Sequence, residues 1–163
     1  MMARQTLTSR IAWGAVCVLG MLLPAGCTAP EPDDGADANV TALGAYEVTA
    51  RIVDIPGVFP PNKLYDYAYV MKYEVIKSHR GPLAGTLLVG QYNPLKPRAE
   101  AADRRSGEIG GNATRFRVGD IQRLALEVPL IDYCMAGIVN EYAETEAADN
   151  PIYWAVWTNV VIP

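Results

Sequence analysis

Tyr65-Asp66-Tyr67-Ala68-Tyr69-Val70-Met71-Lys72-Tyr73-Glu74-Val75-Ile76 is the stretch that decides the fold. Apolar and aromatic residues recur at every second place, so Tyr65, Tyr67, Tyr69, Met71, Tyr73 and Val75 share one face of a strand. Asp66, Ala68, Val70, Lys72, Glu74 and Ile76 share the other. A strand of this length is expected to bend across two sheets or around a barrel.

Outward from it, turn signals divide the chain into further strands. Tyr46 to Ile55 alternates well enough for a strand with one wet face, and Pro56, Gly57, Pro60, Pro61 and Asn62 end it, because proline lacks a backbone donor and restricts the residue before it. Arg80-Gly81-Pro82 and Gly85 turn the long strand into a third, Thr86 to Tyr92. Asn93 to about Ala113 holds prolines, glycines and charges without a sustained period and reads as a long loop with a helical turn around Arg98 to Arg105; such loops are commonly functional or mobile. Ile121 to Val128 is a strand. Pro129 then opens an expected helix to about Ala147, on the helical spacing of Leu130, Ile131, Cys134, Met135, Ile138, Val139 and Tyr142. Ile152 to Ile162 is a final strand after Asn150-Pro151. The fold class is all-β to β-rich α+β, a small barrel with one late helix.

The amino terminus has a different character. Arg4 and Arg10 precede an apolar run from Ile11 to Leu23, which is shorter than the roughly twenty residues a membrane span needs, and Leu23-Pro24-Ala25-Gly26-Cys27 closes it. This layout resembles the lipobox of bacterial lipoproteins, which implies cleavage after residue 26 and lipidation of Cys27; Pro24 departs from the leucine usual at its place. An ordinary signal peptide cut nearby, with Cys27 left as a thiol, is the alternative. Residues 27–42 carry Glu31, Asp33, Asp34 and Asp37 among prolines, glycine and alanines, and read as a flexible acidic tether to a single β-rich domain at 43–163. Thr28 after Cys27 favours the outer over the inner membrane in a bacterium with two.

The net charge of −4 resides largely in that tract, leaving a nearly balanced domain and no expectation of nucleic acid as a partner. Cys17 falls in the signal and Cys27 at the anchor, so Cys134 is left without a disulfide partner and is expected in the core.

The order of a strand ending in Val53-Asp54, then Tyr73-Glu74-Val75-Ile76-Lys77, Arg80-Gly81-Pro82-Leu83, Gly85-Thr86-Leu87-Leu88-Val89 and Phe116-Arg117-Val118-Gly119-Asp120 resembles netrin-type and metalloproteinase-inhibitor-like modules. That resemblance, over about residues 46–128, implies an OB-like barrel. Protease inhibition is not implied, because this domain lacks the disulfide-bonded amino-terminal cysteine of the animal inhibitors. Asn93-Pro94-Leu95-Lys96-Pro97-Arg98 resembles small exported proteins of exopolysaccharide acetylation systems, which would imply an accessory role there.

Candidate chemistry is sparse. His79, the single histidine, sits beside Ser78 on a strand, where neighbouring side chains point apart, so a solvated turn histidine outweighs a catalytic one. One histidine and one thiol do not assemble an ordinary zinc site, and no cofactor is expected. Among Asp54, Asp66 and Asp120 no spacing singles out a pair. Two surfaces remain as candidate ligand-binding groups. Tyr65, Tyr67, Tyr69 and Tyr73 would make a stacking platform if their face is outward and fill the barrel if it is inward. Lys96, Arg98, Arg104 and Arg105 belong to the one net-basic loop, suited to an anionic polysaccharide or acidic partner, or simply solvated. The expected function is a non-enzymatic, membrane-tethered binding or scaffold domain of the cell envelope, with an envelope protein or polysaccharide as partner. The alternatives are an envelope-glycan enzyme using a carboxylate pair and a purely structural lipoprotein.

Overall fold

The computed structural model describes residues 33–63, 65–145 and 149–162; Cys27 and the export-signal features lie outside them. The elements are α1 (Ala38–Ala42), β1 (Tyr46–Asp54), β2 (Tyr67–Arg80), β3 (Thr86–Tyr92), α2 (Arg98–Ala101), β4 (Ile121–Glu127), a 3-10 turn (Leu130–Asp132), β5 (Gly137–Val139) and β6 (Ile152–Val160). β1 pairs with β4, β4 with β6, β6 with β3, β3 with β2, and β2 again with β1. The ring closes into a five-stranded OB-like barrel. All neighbours in it are antiparallel except β3 and β6.

The length of β2 does what the alternation predicts. Ala68 to Glu74 pairs with β3, whereas Lys72 to Arg80 pairs with β1 across three register shifts, so one strand turns the corner that closes the barrel. Tyr67, Tyr69, Met71 and Tyr73 point inward, packing with Val48, Ile52, Val89, Leu124, Leu126 and Phe116. Phenolic ends that burial would strand find acceptors at the rim: Tyr67 and Tyr69 donate to the carbonyls of Pro60 and Pro56.

In place of the helix expected from Pro129 to about Ala147, the described residues 129–145 hold the 3-10 turn and β5. β1 leaves the first residues of β2 without a partner on one side, and β5 supplies it in parallel, Gly137 to Tyr67 and Val139 to Tyr69. Leu130, Cys134 and Tyr142 of this strap seat on the outer faces of β2, β3 and β6, against Ala68, Tyr92, Trp154, Val70 and Leu88. Gly90 makes that possible, since a Cβ there would lie 1.8 Å from Leu130 Cδ1. The apparent helical stripe is thereby split: Ile131 and Met135 are exposed. In OB folds this outer face, with the loops beside it, is a ligand platform. Here the chain itself covers it.

The tether reading of residues 33–42 is also corrected. Asp33 pairs with Ile162, Val40 is fully buried, and Asp37 caps α1 through the amides of Asn39 and Val40. The other oxygen of Asp37 accepts from Trp157 Nε1 at 2.9 Å and Asn159 Nδ2 at 2.7 Å. Composition alone suggests solvated aspartates, but the side-chain partners of Asp37 lie more than a hundred residues away. The barrel domain therefore starts by residue 33.

Candidate functional site

The two groups of residues singled out in the sequence are not brought together. Tyr67, Tyr69 and Tyr73 are core, and only Tyr65, 55% exposed, remains of the platform. Burial pushes the Tyr67 phenol up to about 12. Tyr73 donates to Gln122 Oε1 at 2.9 Å and accepts from Gln91 Nε2 at 3.2 Å, in a buried polar network that includes Thr158.

Arg98 is likewise internal, 2% exposed, with its guanidinium 5.0 Å over the Phe116 ring. It donates to the carbonyls of Asn93 at 2.8 Å and Lys96 at 3.2 Å, and it makes no ion pair among the described residues. Burial lowers its pKa to about 10. It tethers the loop to the barrel rather than offering a charge to a ligand. The loop itself is pinned along the part of β6 that β3 does not reach, through Gly110, Asn112 and Ala113. Lys96 bonds Asp66 at 3.0 Å, and Arg104 and Arg105 are exposed.

No three His, Cys, Asp or Glu side chains gather as a metal site among the described residues. His79 sits 2.8 Å from Thr49 Oγ1, its pKa lowered first by burial and then by Arg123. Asp120 accepts from the Arg117 amide, closing its own turn, and lines a polar cleft of about 350 Å³ with Arg115 and Thr114. Asp54 accepts from Tyr142. Asp66 instead neighbours Asp103; its carboxyl is held below the usual range, chiefly by Lys96. Asp103 accepts from the Tyr92 hydroxyl at 2.8 Å, and burial with this carboxylate raises the Tyr92 pKa.

What the sequence reading missed is on the strap. Ile131 and Met135 are 67% and 77% exposed, with Tyr133 between them in sequence and also exposed. Beside Ile131 lies an apolar pocket of about 170 Å³ lined by Pro129, Leu130, Ile131, Ile138 and Ile152. An exposed isoleucine on a preformed apolar recess, with an exposed methionine elsewhere on the strap, suits an apolar partner, since methionine adapts its shape and both gain by leaving water. The signal available in the sequence was Pro129 and Gly137, which bracket too few residues for a stable helix and so argue against a buried helical stripe.

A scan against protein-family models finds no match to this chain, and searches of the curated proteins and of the solved structures return none either.

Proposed function

We propose that the protein is a non-enzymatic, lipid-anchored cell-envelope domain that binds or scaffolds an envelope protein through its strap. The observation that carries this reading is the exposed Ile131 on the apolar pocket it lines with Leu130 and Ile138, with Tyr133 and Met135 also exposed on the strap. The Cys27 layout supports the anchor. A polysaccharide partner, including the accessory role that the Asn93 to Arg98 resemblance implies, now has only Tyr65, Lys96, Arg104 and Arg105 to rest on, because the other tyrosines and Arg98 are interior.

The test is crosslinked capture from the native membrane by the full-length protein, quantified for wild type, Ile131→Asp with Met135→Asp, and Arg104→Ala with Arg105→Ala. One protein lost with the strap variant and kept with the arginine variant supports the reading. Capture unchanged by the strap variant contradicts it. A second reading, an enzyme, would draw on Asp66 and Asp103, whose carboxyls interact. An envelope-glycan hydrolase built on them would lose turnover with Asp66→Asn or Asp103→Asn and not with Asp120→Asn.

A further inference from the structure

The barrel's two ends differ, and the chain enters at one of them. From the strand pairings, the last residues of β1, β3 and β6 and the first residues of β2 and β4 share an end. Asp33 joins that end: its amide donates to the Ile162 carbonyl at 3.0 Å, the Ile162 amide donates back at 2.8 Å, and Val161 donates to Ile121 at 3.0 Å. The hairpin between β2 and β3 lies at the opposite end.

Ten large apolar side chains are exposed among the described residues, and six of them, Val53, Val58, Tyr65, Leu95, Val118 and Ile162, sit at the Asp33 end or on its loops. Of the others, Ile76 lies toward the hairpin and Ile131, Tyr133 and Met135 on the strap. The charges interspersed with the six include Lys63, Arg115 and Arg117, all exposed and without an ion pair among the described residues. The carboxylates there are Asp33, Asp54, Asp120 and Asp66: the first three accept from the Gly35 amide, the Tyr142 hydroxyl and the Arg117 amide, and Asp66 pairs with Lys96. Apolar tips and an amphipathic tyrosine, with charges of both signs between them, are a composition that settles into a lipid headgroup boundary.

Chain length selects the same end. Six Cα–Cα steps separate Cys27 from Asp33, at most about 22 Å when fully extended. β6, by comparison, runs nine residues, about 30 Å. An acyl chain on Cys27 therefore brings the Asp33 end to the bilayer before any other.

We propose that the Asp33 end of the barrel, with Val58, Tyr65, Val118 and Ile162 foremost, is a membrane-contact surface that rests on the lipid interface. This rests on the lipid-anchor reading given above. It leaves the hairpin away from the bilayer, while β5 of the strap, paired with Tyr67 to Tyr69, lies near the contact.

The experiment uses full-length protein expressed in a bacterium and purified into proteoliposomes containing anionic phosphatidylglycerol and nitroxide-labelled lipid. Three variants with one added cysteine each, Val58→Cys, Val118→Cys and Lys77→Cys, carry an environment-sensitive fluorophore; Cys134 is buried. Incorporation of labelled palmitate, lost in Cys27→Ser, is measured on the same preparations. The expected result is acylated protein with quenching at 58 and 118 at least threefold that at 77. Acylated protein with equal quenching at all three positions, or most at 77, overturns the contact surface while the anchor stands. Protein without acyl chains on Cys27 overturns both.

Discussion

Replacing Gly90 by alanine tests whether the strap seats as described, because the new Cβ would lie 1.8 Å from Leu130 Cδ1. Carbon atoms rest about 3.5–4.0 Å apart, so Leu130 would have to move by about 2 Å from a site in which it is 2% exposed. Overpacking of this kind costs about 1–3 kcal/mol. Leu130→Ala alone removes a buried side chain and should cost about 2–5 kcal/mol. With the leucine gone the notch is open, so adding Gly90→Ala should turn from destabilising to neutral or favourable, by up to about 1 kcal/mol, through the lower entropy of the unfolded chain. The double-mutant cycle should then show a coupling of about 1–4 kcal/mol, read from urea denaturation followed by circular dichroism. Effects that add to within about 0.5 kcal/mol would mean that Leu130 does not occupy the notch over Gly90, and the strap assignment would fall with it.

Three other outcomes follow from the same coordinates. Glu47 is buried between Arg123, whose Nε and Nη2 donate at 2.8 and 2.7 Å, and Arg80 at 3.5 Å, so Glu47→Leu, which leaves Arg123 only the exposed Asp34, should cost toward the lower end of about 3–5 kcal/mol; a loss under about 1 kcal/mol in a denaturant titration would contradict this. Arg98→Ala should destabilise by about 2–4 kcal/mol through lost packing on Phe116 and an unanchored loop, while Arg104→Ala stays within about 0.5 kcal/mol; equal, negligible effects on melting would restore Arg98 as a surface residue. Asp37, whose folded pKa is lowered by the Val40 amide and the Asn159 and Trp157 side chains against a desolvation effect that raises it, contributes stability that is present above the ordinary aspartate range and lost as pH falls through the lower folded value. Asp37→Asn should therefore flatten the fall in stability below about pH 4, and an unchanged acid limb would refute the capping role.

The strands were legible because their periodicity and their burial have the same cause. In β2 the face of Tyr67, Tyr69 and Tyr73 is the face that fills the barrel, and Gly81, Pro82 and Gly85 mark a turn wherever the partners lie. The strap was illegible because a helix spacing between Leu130 and Tyr142 competes with a tertiary demand, the unpaired edge of β2 at Tyr67 to Tyr69, which nothing within residues 129–147 announces. The same holds for Asp34 and Asp37, whose partners Arg123, Trp157 and Asn159 come from the far end of the chain. The direction of the tyrosine face stayed open for a further reason: both faces of β2 are apolar at its amino-terminal half, because the barrel lies on one side and the strap on the other. Arg98 shows the limit of reading charge as surface, since its aliphatic stem and planar head pack on Phe116 while local carbonyls satisfy part of its fork.

The most direct test of the account is a photocrosslinking amino acid placed at Met135 in the full-length protein in living cells, with Lys77 as the comparison position. The account predicts a discrete protein adduct from position 135 that is absent from position 77 and weakened in Cys27→Ser. No adduct from 135, or the same adducts from both positions, would contradict a partner-binding strap on an anchored barrel.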